Sequence, residues 1–249
     1  QLREQGFEAF YIAIGCQGGR RPGVANEEAL GTSIAVEFLH KALEDEHQTM
    51  DGNVVVVGGG NVAVDCAKTA KRFGAAKVSM VCLEDRATMP ASGNEIAETL
   101  EEGIDIQNSW GPKELKVDEN GRVSAIVFKK CLRTIDPETG RFAPLYDEHE
   151  TMELKADHVV FAIGQAIEWG GLLEGTKVEF WRGNYPVADS LTYQTAEPDI
   201  FVGGDVYHGP KFAIDAIEEG KCAAESLHRY VHKGADLKIG RNRRDFIML

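Results

Sequence analysis

Gly58, Gly59 and Gly60 follow a run of valines and precede a stretch of helical spacing that starts at Asn61. Gly58, Gly60 and Ala63 fit the spacing G-x-G-x-x-A. Each small residue has a physical task there. Gly58 permits a tight turn, Gly60 lets a pyrophosphate approach the backbone, and Ala63 lets a helix pack against a strand. The helix start beyond offers unpaired N–H groups and a positive dipole end. The chemistry these residues suit is the holding of a dinucleotide's phosphates. A tight βα turn without a ligand is the plainer alternative.

Glu84 stands 24 residues beyond Gly60, at the expected end of the next strand. An acid there accepts hydrogen bonds from the adenosine ribose hydroxyls and repels a 2′-phosphate, which favours NADH over NADPH. Arg86 lies two residues on and would meet a 2′-phosphate instead, and a solvated Glu84 is the bland reading. Gly204 and Asp205, between a strand and a helix, form a second candidate site for a nucleotide's sugar-alcohol and phosphate groups. An Asp before a helix is also a common simple cap. His149, His158 and His208 are isolated, and a structural role outweighs catalysis for each. No Ser-His-Asp order, metal cluster or carboxylate pair stands out, so no catalytic acid or base is assigned. Hydride chemistry needs none, because the cofactors carry it.

The totals narrow the partners. A net charge of −13 opposes a nucleic-acid backbone, which needs a basic face. The five cysteines are widely spaced without a C-x-x-C pair, so neither a zinc nor an iron–sulfur motif is visible and the thiols suit a reducing cytoplasm. No apolar run approaches the ~18 residues of a membrane span.

The elements that must position these residues follow from patterning. Val54–Val57 read as a strand buried on both faces, with Asn61 to Phe73 as its helix. Ser33 to Glu46 spaces Ile34, Phe38, Leu39 and Leu43 as one apolar helix face. Lys77 to Glu84 is the second strand, a helix capped at Ser92 or Asn94 runs to about Glu102, and Ile104 to Gln107 is the third strand. Hairpin turns are expected at Asp118–Arg122 and Asp136–Gly140, followed by a polar stretch to Lys155. Phe10 to Ile14 and Asp157 to Gly164 are buried strands that both end in A-I-G. These bracket the Gly-rich unit and suggest one domain inserted in another. Asp199 to Val202 is a further strand, and a helix from about Lys211 to Val231 carries the small residues Ala213, Ala216, Gly220, Ala223 and Ala224. Lys238 to Leu249 is basic and unpatterned, a tail or linker.

The run VVVVGGGNVAVDCAKTAKRFGA, then MPAS, FAIGQ and DIFVGGDVYHGP…AIDAIEEGKCAAESL resembles the glutamate synthase small-subunit family. It is similar also to the flavin and nucleotide region of dihydropyrimidine dehydrogenase. The resemblance implies an α/β, two-dinucleotide-binding-domain flavoprotein fold, with a Rossmann-like NAD(P)H domain inserted in a partial FAD domain. The implied segments are 1–50 and 155–235 for FAD, 51–154 for NAD(P)H, and 236–249 as tail. By match, Gly58, Gly59, Gly60, Asn61 and Val62 would bind the NAD(P)H pyrophosphate. Ala162, Ile163 and Gly164 would lie near the cofactor, Gly204 and Asp205 would bind FAD, and Lys211, Phe212 and Ala213 would approach the flavin ring.

Two departures from the family pattern carry weight. Members that use NADPH carry Tyr-Arg-Arg where this chain has Cys82-Leu83-Glu84, which agrees with NADH. The Gly-rich loop of an FAD domain and the family's upstream cysteines are absent, so the chain reads as a fragment that does not hold FAD tightly by itself. The expectation is an NADH oxidoreductase fragment that passes electrons through FAD to iron–sulfur centres or a partner subunit. The alternatives are the glutamate synthase small subunit proper, and a module that senses NAD(H) without turnover.

Overall fold

Val54–Val57 sit at the centre of the larger of two units in a computed structural model that describes residues 1–45, 47–182, 184–232 and 235–241. In chain order the first elements are β1 (Phe10–Ile12), β2 (Gly18–Gly19), β3 (Thr32–Ile34), α1 (Ala35–Glu44), β4 (Asn53–Val57) and α2 (Asn61–Arg72). Next come β5 (Lys77–Val81), α3 (Gly93–Glu101), β6 (Asp105–Gln107), β7 (Trp110–Val117), β8 (Val123–Ile135), β9 (Phe142–Lys155) and β10 (His158–Phe161). The chain ends with β11 (Gln165–Ala166), β12 (Phe180–Trp181), β13 (Tyr185–Pro186), β14 (Ile200–Val202), α4 (Asp205–His208) and α5 (Ala213–Val231).

One unit spans 19–165 and the other joins 1–18 to 166–249. The chain therefore leaves the outer unit just after the first A-I-G and returns just after the second. The sequence places these crossings at 50/51 and 154/155, and the contacts place them at 18/19 and 165/166. The reason is pairing. β3 and β10 both join the sheet built around β4, so residues 19–50 and 155–165 pack with the Gly-rich turn.

That sheet is parallel, in the order β3-β10-β4-β5-β6. Side chains alternate along β4. Val54 and Val56 enter a core with Phe38, Ala63, Ala67 and Ile96 from α1, α2 and α3. Val55 and Val57 enter a second core with Leu115, Ile126 and Phe128. The latter come from an antiparallel sheet, β7-β8-β9, that covers the opposite face. Burial on both faces is why the strand is uninterrupted valine.

Three expectations shift. The second strand stops at Val81, which leaves Glu84 on the following loop. The polar stretch to Lys155 is a 14-residue strand whose side chains are exposed or half-buried, with an inward apolar alternation at Met152 and Leu154, which pack against the second core. Leu43 is 81% exposed, and the apolar face of α1 ends at Leu39; Glu46 lies outside the described residues.

In the outer unit β1 pairs in parallel with β14, and α5 packs over them. Ile12, Val202, Tyr193 and Ala223 share its core. Of the expected basic tail, Lys238 pairs with Asp189 at 2.5 Å and Arg241 donates to the Cys222 carbonyl at 2.7 Å, while 242–249 lie outside the described residues.

Candidate functional site: a glycine turn, an acidic loop and a second turn

The Gly-rich turn closes at the carboxyl end of β4. Gly58 has φ +145°, and a Cβ on it would collide with the Ala162 carbonyl. Ala162 N–H donates to the Val57 carbonyl at 2.7 Å, and Gly58 N–H donates to the Val81 carbonyl at 2.8 Å. Gly58 is therefore required by close approach of its own neighbours. Gly60 differs. A Cβ there would meet nothing within 4 Å, so its face is open to an incoming group. Gly60 caps α2, and the helix starts at Asn61 and Val62. The Asn61 side chain accepts from Ser92 N–H at 3.0 Å, and Ala91 N–H donates to the Gly59 carbonyl at 3.0 Å. The Met89–Ser92 loop thus clasps the turn, and Asn61 is tied to that clasp through its side-chain oxygen.

Glu84 lies above the same turn. A Cβ on Gly59 would stand 3.1 Å from Glu84 Oε2. The loop holding Glu84 is pinned from beneath: Ser109 N–H and the Asn108 amide donate to its carbonyl at 3.0 and 3.2 Å. Leu83 turns the other way, and a Cβ on Gly111 would meet it at 2.9 Å. Of the two family arginine positions, only the one held by Glu84 is thus seen to face the turn. Sequence reasoning missed Asn108 and Ser109, because a polar pair after a short strand reads as loop. Ala162, Ile163 and Gly164 follow β10, next to β4, so the residues expected at the NAD(P)H site all fall in the inner unit.

Gly204, Asp205, Lys211, Phe212 and Ala213 all fall in the outer unit. Gly204 has φ +71° and precedes the short α4, which intervenes before the long helix α5 begins at Ala213. Asp205 Oδ1 accepts from Lys211 N–H at 3.2 Å, a local cap. Lys211, Phe212 and Ala213 are exposed at the start of α5. The residue that organises this turn is Glu219, which sequence reasoning missed. Its buried carboxylate accepts from Gly204 N–H at 2.5 Å and bonds His208 Nδ1 at 2.5 Å. A Cβ on Gly203 would strike the Tyr11 hydroxyl, whose pKa is raised by burial and then by the Glu219 charge. A signal existed: Glu219 stands three residues after Ala216 and four before Ala223, on the packed stripe.

The other titratable groups are structural in kind. Burial pushes the Cys66 and Cys82 thiols up to about 12, which leaves them protonated and unreactive. His158 is held below its ordinary value by burial, and His149 N–H caps to Asp147 at 2.9 Å. Among the described residues no three His, Cys, Asp or Glu converge as a metal site, and no helix is long and apolar enough to cross a membrane.

Residues 2–220 match the family model for pyridine nucleotide-disulphide oxidoreductases. This chain belongs to that family. It is 34% identical over 234 residues to the NADP(+)-dependent formate dehydrogenase subunit beta of Moorella thermoacetica, covering 93% of this chain and 33% of that protein. It is 30% identical over 246 residues to the glutamate synthase (NADPH) small chain of Escherichia coli (strain K12), covering 90% of this chain and 51% of that one. The resemblance to the glutamate synthase small subunit therefore holds, and the chain spans a third to a half of the length of these relatives. Mycobacterium tuberculosis FprA in complex with NADPH superposes with a TM-score of 0.72 at 17% identity, over 93% of this chain and 66% of that one. At that identity the likeness is one of fold, and the family fold is the two-dinucleotide-domain α/β architecture expected.

Proposed function

We propose that this chain carries the nucleotide site of an NADH-dependent flavin oxidoreductase, which passes electrons to iron–sulfur centres or a partner subunit. The observation that carries the reading is the open face of Gly60 next to Gly59, which the Glu84 carboxylate overhangs, at the carboxyl end of a parallel sheet. Backbone N–H groups of Gly59 to Val62 would hold the pyrophosphate at the start of α2. Glu84 would accept the adenosine ribose hydroxyls and repel a 2′-phosphate. Both relatives described above bear NADP(+) or NADPH in their names, so the preference for NADH rests on Glu84 alone. In the outer unit Gly204, Asp205 and the exposed Lys211–Ala213 segment are the proposed FAD contacts. The Asp205 carboxylate keeps acceptor capacity beyond its bond from Lys211 N–H. When bound, NADH supplies a hydride and FAD accepts it; the side chains bind, orient and exclude water. The free thiols support a reducing cytoplasm as the setting.

The runner-up reading is the NADPH-linked glutamate synthase small subunit itself, which the 30% identity favours. A nucleotide sensor is the reading from another class. Anaerobic addition of NADH to the flavin-loaded protein separates them. Bleaching of the flavin absorbance by NADH in preference to NADPH is expected. Bleaching by NADPH alone would favour the runner-up. NADH binding with unchanged flavin absorbance would favour the sensor.

A further inference from the structure

Two adjacent arginines stand on the loop that leads into the inner unit, and their fates differ. Arg21 is committed to the fold. Its guanidinium donates to the Glu27 carbonyl and lies 3.4 Å from Thr32 Oγ1, with its Cζ 5.9 Å from the centroid of the Phe161 ring. Arg20 is exposed, and among the described residues its guanidinium enters no ion pair, in a chain of net charge −13.

Its backbone position is nonetheless fixed. Arg20 N–H donates to the Gly164 carbonyl at 3.1 Å. Its stem lies along that glycine, since a Cβ on Gly164 would meet Arg20 Cδ at 3.6 Å. Gly164 and Gly58 stand three and one residues past the register pair Phe161–Val57 of β10 and β4. The chain runs outward from β4 through β5 to β6 and then returns to β4's other side as β10. Strand order reverses there, and ligands of open α/β sheets bind in the crevice at the carboxyl ends beside such a reversal. Glu84 follows β5, on one side of β4; Arg20 is tied to the end of β10, on the other.

We propose that Arg20 is a phosphate-binding residue of the nucleotide site, acting on the phosphate of the nicotinamide half. The proposal rests on the nucleotide reading above. If Glu84 takes the adenosine ribose over β5, the pyrophosphate crosses the Gly58–Gly60 turn and its far phosphate comes to the β10 side. The glycine turn offers only N–H groups there, and Arg20 adds a full positive charge with paired donors.

Binding of NADH, ADP-ribose and AMP to the 249-residue chain tests this with Arg20→Gln and Arg20→Lys. Arg20→Gln should weaken NADH and ADP-ribose roughly tenfold and leave AMP nearly unchanged, the value of one charge-assisted hydrogen bond. Arg20→Lys should recover part of the loss. Unchanged NADH and ADP-ribose binding in Arg20→Gln would overturn the proposal, as would an equal loss for AMP. Failure of the unsubstituted chain to bind either NADH or NADPH would overturn the nucleotide reading together with it.

Discussion

The Glu84 carboxylate overhangs Gly59: a Cβ on Gly59 would stand 3.1 Å from Glu84 Oε2 and 2.9 Å from Cys82 Cβ. The glycine is required chiefly by Cys82, whose Cβ cannot move aside as the end of the Glu84 side chain can. Replacing the acid reverses the charge presented to a ribose 2′ position. Glu84→Arg should shift the ratio of NADPH to NADH affinity by about 10- to 100-fold towards NADPH, since a charge-assisted phosphate contact contributes about 1.5–3 kcal/mol. Leu83→Arg, directed towards Gly111, should shift it far less. Fluorescence titrations of both variants with both nucleotides measure this.

The glycines of the turn separate folding from binding. Gly58→Ala places a Cβ against the Ala162 carbonyl at φ +145° and should cost at least about 2 kcal/mol of stability. Gly60→Ala meets nothing within 4 Å and should leave the unfolding free energy within about 0.5 kcal/mol of the original. The same substitution should weaken dinucleotide binding, because the methyl occupies the face a pyrophosphate would approach. Urea unfolding beside nucleotide titration reads both effects.

Glu219 should matter for the outer turn. Glu219→Ala leaves Gly204 N–H without its carboxylate and frees His208, and should destabilise by about 1–3 kcal/mol. FAD affinity should fall in the same variant, because Gly204 and Asp205 lose their tether. A variant that unfolds less readily than the original, or holds FAD equally well, would remove Glu219 from this role.

Some of this was readable in the chain and some was not. Val54–Val57 and the glycines after them announce their roles, since burial on both faces and close backbone approach each demand a residue type. The Asn120-Gly121 turn between β7 and β8 does the same. β9 is hard to read because most of its side chains are exposed, and its inward pair Met152 and Leu154 comes only at the end of the strand. Segment 19–50 groups with the inner unit through strand pairing across the chain, β3 on β10, which leaves no local mark in the sequence. Glu219 was hidden by its own type: an acid in a helix reads as solvated until packing on both sides is known.

The Asp189–Lys238 pair predicts a pH dependence. Burial would raise the Asp189 pKa, but the Lys238 ammonium and the N–H groups of Thr192 and Leu191 outweigh it and bring it to about 2. A depressed folded value stabilises the fold above the unfolded pKa of about 3.9, and that contribution is lost as pH falls through about 2. With the carboxylate a third exposed, the contribution is about 1–2 kcal/mol after screening. Asp189→Asn should therefore be less stable by that amount at pH 7, with the gap narrowing between about pH 4 and pH 2 in urea titrations.

The Gly58–Gly60 turn and Glu84 together make the proposed NADH site. Its most direct test is the dissociation constant of NADH and of NADPH for the unsubstituted 249-residue chain, measured side by side at one ionic strength. NADH should bind at least about tenfold more tightly, a difference of about 1.4 kcal/mol. Equal or tighter binding of NADPH would contradict it.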